Sequence, residues 1–84
     1  NYTHFYLEGE RHIIVSRTIR EFESLLAGSG FLRVHQSHLV SLNHVDRFLK
    51  RDSGSLQLKN GKIIPVSPNL KQKVIKALTD YLYE

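Results

Sequence analysis

The pair Asn60-Gly61, set between an apolar run ending at Leu58 and another beginning at Ile63, constrains this chain more than any other feature. Asn-Gly between apolar runs is a strong hairpin signal, because both central positions of a type I′ turn need positive φ. It predicts that Ser55 to Leu58 and Ile63 to Val66 pair as antiparallel strands. Ser67-Pro68 follows at once and reads as a helix start. Ser67 caps, and Pro68 at the first helical position lacks an N–H that the helix does not use. Leu70, Val74, Leu78 and Leu82 then recur every four residues, with Ile75 and Tyr81 beside them. That spacing predicts an amphipathic helix over about residues 68–83.

Upstream, short apolar runs alternate with turn chemistry. Tyr2 to Leu7 and Arg11 to Val15 read as a hairpin with Gly9 in its loop. Thr18-Ile19-Arg20-Glu21 has capping-box spacing, in which the Thr18 hydroxyl accepts from the Glu21 amide and Glu21 reaches back. Ile19, Phe22, Leu25 and Leu26 share a helical face, and Gly28 suits a left-handed terminus, so a second helix is predicted over about 19–27. Phe31 to Val34, His38 to Leu42 and Val45 to Arg51 read as further strands. They are parted by the polar His35-Gln36-Ser37 and by a tight turn at Asn43-His44.

Eighty-four residues, 40% of them hydrophobic, predict one globular domain with a small core. The chain has no cysteine, which removes a disulfide framework and thiolate metal sites and fits a reducing compartment. No apolar run approaches the roughly 20 residues of a membrane span. The first residue is Asn1 rather than Met, and the chain is read as part of a larger protein. The net charge is +4. Residues 1–42 carry four basic and four acidic side chains, so the whole excess lies in residues 43–84. A basic half permits a polyanionic partner such as nucleic acid, and a solvated lysine surface is the plainer reading.

Few residues fit catalysis. No G-x-S-x-G elbow or phosphate loop is present, and Glu8 and Glu10 flank a turn. His35, His38 and His44 lie close in sequence, but on an extended-turn-extended segment with no Cys, Asp or Glu among them, a poor metal pattern. No enzyme activity, cofactor or metal is expected. The remaining polar groups suit nucleic acid. The Gln36 amide can pair bidentately with adenine, as can Asn1 and Asn69. Ser37 and Ser67 suit phosphates, and Lys62, Lys71, Lys50 and Arg51 can neutralise them. Each also has a structural reading: Ser67 as a cap, Gln36 as a turn residue, the lysines as a solvated face.

The run Phe31-Leu32-Arg33-Val34-His35-Gln36-Ser37-His38-Leu39-Val40-Ser41-Leu42 resembles the signature of the LytTR DNA-binding domain family. Asn1-Tyr2-Thr3, Ile13 to Leu26 and Lys59 to Ser67 match the surrounding order, so the resemblance covers nearly the whole chain. It implies a mainly β fold of short antiparallel strands in layered sheets with two helices, from which loops enter successive major grooves. It also implies opening strands before the point where this sequence starts. The implied function is sequence-specific binding of double-stranded promoter DNA, commonly at paired direct repeats, with a dimer on DNA. The implied setting is the cytoplasmic output domain of a bacterial two-component response regulator, behind a receiver domain.

Residue by residue, the resemblance places base contacts at Asn1 and Tyr2, at Gln36, and at Asn69. It places a phosphate contact at Ser37 and a contact region from Ser67 to Lys71, where Ser67 and Lys71 are the phosphate candidates, with Arg33 and His35 supporting the Gln36 loop; Lys62 joins the phosphate contacts on its charge alone. Pro68 departs from the family, where a basic residue often follows the serine; proline cannot donate to a base, so reading there falls to Asn69 or Lys71. Ser41 stands where an asparagine is usual. The reading from another class is a small β protein-interaction module docking on another domain. RNA is a third, with only Tyr2, Phe5 and Tyr6 as stacking platforms.

Overall fold

The computed structural model describes residues 2–7, 9, 11–26, 28–50 and 54–82, except the side chains of Leu25 and Leu82. The first hairpin forms as its pattern predicts. Strand β1 (Thr3–Tyr6) pairs antiparallel with β2 (His12–Val15), and the Leu7 amide donates to the Arg11 carbonyl at 3.0 Å. Helix α1 (Ile19–Leu26) follows. Its start differs from the expected capping box. The Glu21 amide donates to the Thr18 carbonyl at 3.2 Å rather than to the hydroxyl, and the Glu21 carboxylate lies 3.8 Å from Arg17. Gly28, at φ +80°, turns the chain out of the helix in the left-handed region a side chain resists.

Strands β3 (Phe31–His35) and β4 (His38–Ser41) form a second antiparallel pair around the two-residue turn Gln36-Ser37. β4 also lies parallel to β1, with His4 opposite His38 and Tyr6 opposite Val40. The first sheet therefore runs β2-β1-β4-β3, with one parallel pair among the mainly antiparallel strands that the resemblance implies. Leu42–His44 is a 3-10 turn, where Leu42 was expected to continue the strand.

Strands β5 (Val45–Leu49), β6 (Ser55–Leu58) and β7 (Ile63–Pro65) make a second, antiparallel sheet. The Asn60-Gly61 hairpin exists, with a different turn. The Gly61 amide donates to the Leu58 carbonyl and the Leu58 amide to the Lys62 carbonyl, both at 2.8 Å. The turn's central residues are thus Lys59 and Asn60, and Gly61, at φ +92°, occupies the left-handed position of a three-residue loop. Asn60 also donates to the Gly9 carbonyl at 2.9 Å, joining this hairpin to the β1–β2 turn.

Pro68–Leu70 forms a 3-10 turn that leads into helix α2 (Lys71–Leu82). Ser67 sits at the cap position with an extended backbone, but its hydroxyl makes no capping hydrogen bond. The Leu70 amide bonds to the Ser67 carbonyl instead, at 2.9 Å. The strand alternation gives the first sheet two buried faces. Tyr6, Val34 and Val40 meet Leu56, Leu58, Ile64 and Val66 of the second sheet and Val74 and Leu78 of α2 in one core. Phe5 packs the other way, edge-on to Phe22 of α1 at 4.9 Å between centroids. Among the described residues no helix is long and apolar enough to cross a membrane.

Candidate nucleic-acid interface

The Gln36-Ser37 turn projects from the end of a supported strand pair. Arg33, two residues before His35, curls back across the turn. Its Nε donates to the His35 carbonyl at 3.3 Å and its Nη2 to the Gln36 carbonyl at 3.1 Å. Its Nη1 meets Glu23 of α1 at 3.0 Å, so helix, strand and turn share one guanidinium. From the other side the His4 amide of β1 donates to the Ser37 carbonyl at 2.7 Å, and the Ser37 amide points at His35 Nδ1 at 3.4 Å. The main chain of the turn is thereby held, and the Gln36 side chain is left exposed.

An open cleft of about 670 Å³ lies beside the turn, lined by Tyr2, His4, Thr18, Ile19, Arg20, Arg33, His35, Gln36 and Ser37. Five of the residues singled out in the sequence meet here: Tyr2, Arg33, His35, Gln36 and Ser37. Arg20 and Thr18, read in the sequence only as part of a capping box, line the cleft as well. Arg20 is exposed and forms no ion pair with a described residue. The signal for it was present: Ile19 and Phe22 face the sheet, which turns the Arg20 position at the helix start outward.

The 67–70 turn is joined to the Gln36 turn through β3, because the Ser67 amide donates to the Val34 carbonyl at 2.9 Å. Asn69 follows in the 3-10 turn and is exposed. Lys71 opens α2 with its stem against Gly54, where an added Cβ would lie 3.9 Å from the Lys71 side chain. Lys62 is elsewhere: its ammonium sits 5.4 Å from the Tyr6 ring centroid, towards the opposite end of β1 from the Ser37 bond. Asn1 lies outside the described residues. The cleft's cations, Arg20 and Arg33, come from the charge-neutral half of the sequence, so the basic half does not line it.

The histidines are placed by topology rather than by sequence proximity. His35 and His38 have rings 4.7 Å apart, and His4 and His12 join them from β1 and β2. His44 is buried beyond the other end of β4. No group of three potential ligands could hold a metal ion among the described residues. Burial, then the neighbouring His35, His4 and His12, lowers the His38 pKa to about 4.

A profile of the LytTr DNA-binding domain matches residues 1–79. The chain belongs to the LytTr DNA-binding domain family. The solved LytTr DNA-binding domain of a Bacillus cereus protein, described as a methyl-accepting/DNA response regulator, superposes with a TM-score of 0.69 at 30% identity. That match covers 82% of this chain and 65% of the solved one. The CO-responsive transcriptional regulator RcoM of Rhodospirillum rubrum is 38% identical over 58 residues, 66% of this chain and 25% of that protein. This LytTr domain thus spans a quarter of RcoM's length. Its layered sheets and two helices match the fold the family implies.

Proposed function

We propose that this LytTr domain reads promoter DNA for a longer bacterial regulator, as the cytoplasmic output domain behind a receiver. Two copies would sit on paired direct repeats. One observation carries the DNA reading most directly: a turn clamped through its main chain presents the Gln36 side chain to a cleft that also holds Arg20. Gln36 takes the bidentate base contact, with Tyr2 reading beside it, Asn69 reading from the 67–70 turn, and Asn1 a further base contact. Ser37, Ser67, Lys71 and Lys62 hold phosphates, and Arg20 joins them. Arg33 and His35 position the Gln36 turn. The greater length of RcoM supports a place in a larger protein. The response-regulator description of the solved relative supports the receiver.

The test begins with a duplex enriched by the chain from a random pool, compared with a scrambled duplex of equal composition. Affinity should fall with salt by roughly 0.9 log unit per log unit for each phosphate neutralised. Gln36→Ala should cost about 1–3 kcal/mol on the enriched duplex and much less on the scrambled one. Ser37→Ala should weaken both alike. A slope near zero with the chain folded would refute DNA binding, and equal losses for Gln36→Ala would move base reading to Asn1 or Asn69.

A further inference from the structure

Four imidazoles from four different strands gather at the base of the Gln36-Ser37 turn. His4 Nδ1 and His12 Nε2 are 3.0 Å apart, so one must donate and the other accept. His38 lies 4.9 Å from His4 and 4.7 Å from His35, ring centroid to centroid, and its Nδ1 is buried without a partner. His35 Nδ1 accepts from the Ser37 amide, which requires that nitrogen to be unprotonated. The His35 bond therefore exists only while that ring is neutral, and the His4–His12 bond only while at least one of its two rings is neutral. The other groups facing the cluster offer no compensating charge. Tyr6 stacks on His12 at 4.3 Å, and Lys62 hangs over Tyr6. Arg20 shares the cleft with His4 and His35. Arg33, which holds the His35 carbonyl, already engages Glu23. No described carboxylate pairs with any of the four rings.

We propose that this cluster makes the reading turn proton-sensitive, so that DNA is read specifically with the imidazoles neutral and that reading is lost as they take up protons. The inference rests on the DNA reading given above. A proton on His35 Nδ1 sets one N–H donor against another, the Ser37 amide, and frees the turn. Protons on both facing nitrogens of His4 and His12 end their bond and put two cations at contact. The strand disturbed is β1, whose His4 amide fixes the Ser37 carbonyl. Burial, then Lys62 and His4, lowers the His12 pKa, in keeping with a cluster that resists charging. Imidazoles are the side chains that ordinarily titrate between about pH 5 and 8. Simple electrostatics predicts the opposite sign, because added positive charge strengthens binding to any duplex.

The test titrates the enriched and scrambled duplexes at about pH 7.5, 6.5, 5.5 and 5, with circular dichroism at each pH. Affinity for the enriched duplex should fall by up to roughly tenfold per pH unit for each linked proton, while the scrambled duplex is bound as well or better. Calorimetry in buffers of different ionisation heat should show protons released on binding the enriched duplex. His12→Gln, outside the cleft, should bind normally near pH 7.5 and lose part of the pH dependence. Proton uptake on binding, parallel changes on both duplexes, or an unaltered pH profile in His12→Gln would overturn the inference. So would a loss of affinity that tracks loss of the folded dichroism signal. Failure to enrich any duplex near pH 7.5 would refute the DNA reading itself, and this inference with it.

Discussion

Arg33→Lys separates positioning from charge at the reading turn. Lysine keeps the cation but loses the fork that reaches the His35 carbonyl, the Gln36 carbonyl and Glu23 at once. The Arg33–Glu23 pair has side-chain exposures of 30% and 43%, so its own contribution is at most about 1 kcal/mol. The carbonyl bonds, at 3.3 and 3.1 Å and open to water when broken, contribute about 0.5–1 kcal/mol each. The expected loss of stability is about 1–2 kcal/mol, because lysine retains part of the ion pair. The effect on recognition is larger in proportion. A turn that must be ordered on binding costs about 1–2 kcal/mol per residue fixed. Affinity for an enriched duplex should therefore drop about tenfold or more, while affinity for a scrambled duplex stays within about twofold. Binding titrations at one salt concentration measure the first effect. Amide hydrogen exchange at Gln36 and Ser37, faster in the variant, measures the second. Wild-type affinity for the enriched duplex together with unchanged exchange would refute the claim that Arg33 pre-orders the turn.

Two further outcomes concern stability. Leu78 is 8% exposed on the core face of α2 beside the fully buried Val74, so Leu78→Ala should cost about 2–5 kcal/mol in thermal or denaturant melting; an unchanged melt would mean that this face is not packed. His38 has its folded pKa lowered from 6.5 to about 4, so the unfolded chain takes up its proton first as pH falls. Its neutral burial costs nothing above pH 6.5, and stability is lost progressively from there down to about pH 4. After allowance for partial solvent access, the loss is about 1–2 kcal/mol. Melting of wild type and His38→Gln across that window checks it, since the variant should lack this share of the slope.

The local elements were legible because each is bounded by residues with a conformational reason to stop the chain. Gly28 ends α1, Pro68 opens the last helical segment, and Gly61 marks the β6–β7 loop. What escaped is non-local or depends on a one-residue register. The pairing of β1 with β4 brings His4 opposite His38 across 34 positions of sequence, and nothing in either strand names its partner. At the β6–β7 hairpin the glycine was the right signal in a shifted role. Asn60 became a central turn residue that also bonds to Gly9, and Gly61 alone took the left-handed conformation.

The same distinction explains what was visible of the site. The Gln36 turn could be located because a polar triplet interrupts two apolar runs. Its support could not, since Arg33 acts through carbonyls and through Glu23, which stands on a helix ten residues earlier. Charge counted by halves of the sequence pointed to residues 43–84, yet the cleft takes Arg20 and Arg33 from the neutral half. A neutral segment can still present cations when the fold engages its carboxylates elsewhere. Glu23 is spent on Arg33, and Glu21 lies against Arg17, which leaves Arg20 exposed in the cleft. The local field at a reading surface is therefore set by which carboxylates the fold pairs, not by the balance of charge along the chain.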